Sequence, residues 1–239
     1  MLGLFWHFFH LLLSIVHAAC QLIQGLTYYL TSSGILKQYH IPTLDKLQCL
    51  AVVVDSEDAK DADKIIVLLN WLSGFGINYV ILYDMEGVLK NSEINLKRMS
   101  RNDQPQCPEH DAQSSVSISF PEKMSLEVLS LSDGKEAIVK SANFLYSEFY
   151  LNGGNIQYDQ TGRAFNELDV GNALRSVGYG GHEPNLMLVI GSARCHLGFP
   201  AWRMRYTEIV HIGPLKSMKY GAVVKAIYDF SVKNQNYGS

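Results

Sequence analysis

Not one Asp, Glu, Lys or Arg occurs in the first 36 of the chain's 239 residues; the first charge is Lys37. That absence excludes an ordinary water-facing N-terminus. From Leu2 to Leu30 the side chains are mostly Leu, Phe, Ile, Val, Ala and Tyr, and a helix of about 20 such residues crosses the hydrocarbon core of a bilayer. A cleaved signal peptide is the rival, with Ala18 and Ala19 near where cleavage would fall. Such peptides want a basic leading region, and no basic residue precedes this segment. A membrane anchor over residues 1–30 is therefore expected, then a linker over 31–49. Lys37 and Lys46 follow the anchor, and the positive-inside tendency puts the remaining domain, 50–239, in the cytosol.

Other scarcities narrow the function. The net charge is only −3, with no long charge run, so there is no electrostatic footprint for nucleic acid and no such partner is expected. The four cysteines, Cys20, Cys49, Cys107 and Cys195, form no C-x-x-C pair and suggest reduced structural thiols. No N-x-S/T sequon occurs, in keeping with a domain outside the secretory lumen. The chain lacks G-x-S-x-G, a P-loop and H-E-x-x-H, the usual signatures of serine hydrolysis, nucleotide binding and zinc proteolysis. Cys107-Pro-Glu-His110 has a metal-like spacing, but no second pair accompanies it, and a structural site needs four ligands. No metal site is expected.

What is present falls into two parts. Within the apolar segment His7, His10, Ser14, His17, Gln21 and Gln24 recur at steps of three and four, which lines one face of a helix. This is either a tolerated, weakly polar stripe or a contact face for another membrane helix, since uncharged polar groups in lipid prefer a partner.

The second part reads as alternating strands and helices. Leu50–Asp55 is a β-branched run suited to a buried parallel strand. A helix follows with Ile65, Leu68, Leu69, Leu72 and Phe75 on one face, ended by Gly74 and Gly76, and Tyr79–Tyr83 is the next strand. Residues 98–115, with Pro105 and Pro108, form a loop. Strands are expected at Val116–Phe120, Leu126–Leu131, Leu186–Ile190 and Thr207–Ile212. A capping box at Asp133-x-x-Glu136 opens a helix with Ile138, Ala142, Leu145 and Phe149 on one face. A shorter helix spans Asp169–Val177, and a last one Tyr220–Lys233. Gly178-Tyr-Gly-Gly181 follows a helix and precedes a strand, so it is a turn and not a phosphate loop. The pattern predicts an α/β fold around a parallel sheet, with Asp55 at a strand end where such sheets hold ligands.

Asn185–Val210 (NLMLVIGSARCHLGFPAWRMRYTEIV) resembles the C-terminal signature of cis-prenyltransferases, D-L-x-I-R-T-x-G-E-x-R-x-S-N-F-L-x-W-Q followed by Y-T-E. The match lies in the hydrophobic strand, Phe199, Trp202 and Tyr206-Thr207-Glu208. Gly76–Tyr83 resembles the family's second strand, and the likeness runs from about Leu50 onward. The departures concern diphosphate binding. Active members carry M-D-G-N-G-R-W after the first strand; here Asp55 is kept but Ser56-Glu57-Asp58 follow, and like charges oppose an incoming diphosphate. The signature arginines align with Val189 and Cys195, and the signature serine with Leu197. None of these can replace the bidentate guanidinium fork.

The resemblance therefore implies an accessory subunit of the dehydrodolichyl diphosphate synthase complex, of the Nogo-B receptor-like, plant-type kind, with no catalytic residue in its own pocket. It implies a heterodimer or higher complex with a catalytic cis-prenyltransferase subunit. That complex would sit in the endoplasmic reticulum membrane and extend farnesyl diphosphate with isopentenyl diphosphate for dolichol synthesis and protein glycosylation, with Mg²⁺ bound in the partner. Accessory subunits carry a terminal R-x-G that contacts the substrate diphosphate in trans; Asn236-Tyr237-Gly238 resembles it, which makes Asn236 and Gly238 the expected substrate-binding residues. The alternative is a membrane-anchored receptor or isoprenoid-binding adaptor with no role in prenyl transfer, since an apolar α/β pocket can hold an isoprenoid tail.

Overall fold

The computed structural model describes residues 2–32, 44–91, 124–148 and 165–233. The loop at 98–115, the strand expected at Val116–Phe120, the Cys107/His110 pair, Phe149 and the residues Asn236 and Gly238 lie outside them. The chain divides into two compact units, described separately.

In the larger unit, five parallel strands form one sheet: β1 (Cys49–Val54), β2 (Tyr79–Asp84), β3 (Ser125–Ser130), β4 (Leu186–Ile190) and β5 (Glu208–Gly213), in the order β3-β2-β1-β4-β5. Every residue of β1 and of β4 is buried, which is why both read as unbroken apolar runs without alternation. Successive side chains point to opposite faces. Cys49, Ala51 and Val53 join Ile81, Tyr83, Met187, Val189 and Phe199 in one cluster. Leu50, Val52 and Val54, on the other face, are fully enclosed. Each such Val or Leu contributes about 1.5–3 kcal/mol on burial.

Helix α2 (Ala62–Gly74) buries Ile65, Leu68, Leu69 and Leu72, as its spacing predicts, and Ile66 besides; Phe75 is its half-buried C-cap, and Asp61 caps the start by accepting from the Lys64 N–H at 3.3 Å. Helix α3 (Leu131–Tyr146) departs from expectation at its start. Its N-cap is Ser130, and Asp133 is the N3 residue whose carboxylate accepts from the Ser130 N–H at 2.7 Å and Oγ at 3.0 Å. The box thus begins three residues earlier than Asp133-x-x-Glu136, because β3 runs into α3 with no loop between. Its buried face is Gly134, Ala137, Ser141 and Leu145, whereas Ile138 and Ala142 are exposed. Small residues take the inner positions because α3 packs closely on helix α4 (Glu167–Ser176). Asn166 and Asp169 cap α4 reciprocally at 2.9 Å.

The smaller unit pairs α1 (Leu2–Ser32) with α5 (Tyr220–Val232). Helix α1 contains a stretch, Phe5–Thr27, long and apolar enough to cross a membrane by length and composition. Phe5, Trp6, Leu11, Ile15 and Leu22 are all exposed. Helix α5 buries Val223, Val224, Ile227 and Phe230.

Candidate functional site

The strand order reverses between β1 and β4, so the crevice beyond their carboxyl ends is where an open parallel sheet places a ligand. Asp55 lies there, immediately after β1, and faces Gly191, immediately after β4. The end of β4 is bonded to both neighbours: the Asp55 N–H, after β1, donates to Ile190 O at 2.9 Å, and the Gly191 N–H donates to Gly213 O of β5 at 3.1 Å. Gly191 has φ +149°, and a Cβ on it would stand 2.8 Å from the Asp55 Cβ. His211 Nε2 donates to the Gly191 carbonyl at 2.9 Å. At the crevice mouth the Gly191 backbone is therefore laid directly against the aspartate, where no side chain would fit.

The acidic residues around this mouth are committed to capping the chain. Asp55 Oδ1 accepts from the Glu57 N–H at 3.4 Å, and its carbonyl takes the Ala59 N–H at 2.8 Å. Asp58 Oδ2 accepts from the Leu215 N–H at 2.9 Å. Glu57 pairs with Lys60 at 2.9 Å. Asp84, fully buried at the end of β2, accepts from the N–H groups of Val88 and Leu89 at 2.8 and 3.0 Å. A phosphate cradle needs amide N–H groups facing outward; the amides of Asp55, Glu57, Ala59, Val88 and Leu89 already point at carbonyls and carboxylates. Among the described residues no group of three or more His, Cys, Asp or Glu is placed to hold a metal ion, and these caps do not suit Mg²⁺.

The signature positions separate in space. Val189, aligned with an arginine, is 1% exposed inside the core cluster. Cys195, aligned with the other arginine, is exposed. Leu197, aligned with the serine, has φ +49°, and its carbonyl accepts the Tyr83 hydroxyl at 2.9 Å. The Tyr83 and Phe199 rings meet edge to face at 5.5 Å. Burial, with Asp84 and Asp133 nearby, pushes the Tyr83 hydroxyl up to about 12, so it stays a donor.

Sequence reasoning missed a second cluster, at the amino ends of the strands. Arg203, 4% exposed, donates to both carboxylate oxygens of Glu127 at 2.8 Å and to His182 O at 2.8 and 3.1 Å. Tyr79 donates to the same Glu127 at 3.0 Å and its ring lies 4.1 Å from that of His182. Burial raises the Glu127 pKa, but the Arg203 hydrogen bonds and charge outweigh it, and the carboxyl ends below its usual range. A Cβ on Gly181 would come 2.2 Å from Arg203 Nη2, so the glycine turn leaves room for this guanidinium. The alternation of Glu127 with apolar neighbours in β3 was the one signal available. Beside this cluster, a cavity of about 530 Å³ is bounded by Leu174, Arg175, Tyr179, Trp202 and Arg205. Arg205 is neutralised by Glu167 and, at 3.1 Å, Glu183.

No family-wide sequence profile matches the chain. It is similar to the mouse dehydrodolichyl diphosphate synthase complex subunit Nus1, 27% identical over 184 residues, covering 72% of this chain and 58% of the relative. It is similar to the human subunit NUS1, 25% identical over 198 residues, covering 78% of this chain and 64% of the relative. The chain thus spans under two thirds of the length of these curated relatives. Among solved structures, lavandulyl diphosphate synthase from Lavandula x intermedia, in complex with dimethylallyl diphosphate, matches with TM-score 0.55 at 13% identity, over 81% of this chain and 98% of that one. A probable undecaprenyl diphosphate synthase from Campylobacter jejuni matches with TM-score 0.53 at 14% identity, over 81% and 99%. These structures share the fold, a parallel sheet flanked by helices.

Proposed function

We propose that this chain, which has the cis-prenyltransferase fold and is related in sequence to the dehydrodolichyl diphosphate synthase complex subunits, is the non-catalytic, membrane-anchored subunit of such a complex. The observation that carries this reading is the placement of the two positions aligned with the signature arginines, Val189 inside the core and Cys195 at the surface. With Gly191 against Asp55, Val189 in the core and Cys195 at the second position, the chain's own switch point lacks the two guanidinium forks that grip a diphosphate. Synthesis of the polyprenyl diphosphate from farnesyl and isopentenyl diphosphates then belongs to the partner's pocket, together with Mg²⁺. This chain contributes the anchor α1, a docking surface and, through Asn236 and Gly238, contacts to the substrate diphosphate in trans. The surface centres on residues 199–209 and the edge strand β5, where Tyr206 and Ile209 are about half exposed, at 55% and 49%. An endoplasmic reticulum location with the domain facing the cytosol, and a role in dolichol supply for glycosylation, complete the reading.

The test is incorporation of radiolabelled isopentenyl diphosphate by the chain alone, by a catalytic cis-prenyltransferase subunit alone, and by both co-expressed in membranes. Turnover that rises only in the mixture supports the subunit. Gly238→Ala or deletion of Gly238 and Ser239 should then reduce that turnover without dissociating the complex. Unchanged turnover on adding this chain, across catalytic partners, would favour the receptor or isoprenoid-binding adaptor.

A further inference from the structure

Helix α1 changes character along its length. Every described residue from Gly3 to Ile23 is exposed, whereas Gly25, Thr27 and Leu30 are half-buried. The exposed stretch, about 20 residues, is about 30 Å long, which matches the hydrocarbon core of a bilayer. Helix α5 is the element that packs on α1, and the half-buried residues put that contact on the last two turns. An α1 that spans with its exposed stretch therefore holds α5 at the depth of the lipid headgroups.

We infer that α5 lies on an anionic bilayer surface, with Lys219, Lys225 and Lys233 toward the lipid headgroups. This rests on the anchor and the cytosolic orientation in the proposed function and not on prenyl transfer. Charge selects the occupant. Residues 1–43 and 217–235 hold Lys37, Lys219, Lys225 and Lys233 against Asp229 alone, a net +3 in a chain whose total is −3. The cytosolic leaflet is negative and attracts lysines beside a membrane span. Lys225, Tyr228, Asp229 and Val232 share one face of α5, opposite the buried Val223, Ile227 and Phe230, and Lys219 and Lys233 stand at its two caps. Lysine and tyrosine, each with an apolar body and a polar tip, suit the headgroup layer. Lys219 is also misplaced for the helix itself: at the N-cap it offers no acceptor to the first amides, and its charge opposes the helix dipole. A lipid phosphate outside the helix gives that charge a partner.

The full chain in lipid nanodiscs tests this. Cys20, Cys107 and Cys195 are changed to Ser, and a nitrobenzoxadiazole probe is attached at Val232→Cys, an exposed position on the same face as Lys225. A headgroup spin label should quench the probe in discs with about 30% phosphatidylserine and quench it less in pure phosphatidylcholine. Salt at about 1 M should abolish that difference. Lys219→Gln should lower the docked-to-undocked ratio about fivefold, and adding Lys225→Gln and Lys233→Gln should bring the anionic discs down to the neutral level. Lys135→Gln, on α3, should change nothing. Equal quenching in neutral and anionic discs, no quenching in either, or an equal loss from Lys135→Gln would overturn the inference while leaving the anchor intact. A probe that ignores lipid but responds to an added catalytic cis-prenyltransferase subunit would assign α5 to that partner and overturn it too. Failure of the chain to enter the discs would sink the anchor reading and this one with it.

Discussion

Arg203 and Glu127 meet through two parallel hydrogen bonds of 2.8 Å each, joining the segment before β5 to the middle of β3. The arginine side chain is 5% exposed and the glutamate 27%, so neither charge is left to water alone. Truncating one partner strands the other. Arg203→Met should lower unfolding stability by about 3–5 kcal/mol, and Arg203→Lys should recover only part because it cannot form the planar fork. Urea titration of each variant checks this, and a cycle with Glu127→Gln should show strong coupling.

Gly181 makes the same point without touching a charge. Alanine there would place its Cβ 2.2 Å from Arg203 Nη2 and 2.5 Å from Cζ. Because Glu127 and His182 O hold the guanidinium, it cannot simply swing aside. Gly181→Ala should cost about 1–3 kcal/mol, as overpacking does. In the Arg203→Met background most of that penalty should vanish. A full penalty in both backgrounds would show that the glycine serves something other than the arginine.

Acid should find this part of the molecule first. Glu127 is buried, which raises its pKa, yet Arg203 and Tyr79 bring it below the ordinary range. Asp133 is likewise raised by burial but lowered further by Lys90 and Ser130. A carboxyl with a depressed folded pKa stabilises the fold fully above its unfolded value, about 4. That stability is lost as pH falls from there through the depressed value. The urea midpoint should therefore drop below about pH 5, and Glu127→Gln should flatten that drop while starting from a lower midpoint at pH 7.

Restoring the family's arginines should not restore its chemistry. Val189→Arg would bury an unpaired guanidinium in the cluster of Ala51, Val53, Ile81 and Met187, at a cost of several kcal/mol. Cys195→Arg, at an exposed position, should change stability by less than about 0.5 kcal/mol. Neither variant should bind isopentenyl diphosphate in isothermal titration, since each restores only one of the two arginine positions and Leu197 still stands at the signature serine. Binding by either one would show that a single guanidinium suffices to reopen the site.

Much of the sheet was legible because β1, β2 and β4 are buried on both faces and so appear as dense β-branched or aromatic runs between turns. Their bounds slip by about one residue. The helix after β3 was legible too, but not its start or inner face. Ser130-x-x-Asp133 and Asp133-x-x-Glu136 look equally like caps until the strand end is known, and Gly134, Ala137 and Ser141 carry no hydrophobic signal. The lost arginines could be read from the chain. The tight approach of Gly191 to Asp55 could not, because it depends on two strand ends that are 136 residues apart being neighbours.

The use of acidic side chains as backbone caps has a consequence for anyone mapping tolerance to substitution. A saturation scan scored by abundance should find Asp58, Asp84 and Gly191 intolerant, at the carboxyl ends of three neighbouring strands, while Glu57 accepts nearly anything. Drawn on the surface, those sensitive positions would outline the mouth of a catalytic pocket. They would be reporting on three separate connections fastened to the sheet, and the same scan scored by prenyl transfer per folded molecule should show that outline fade.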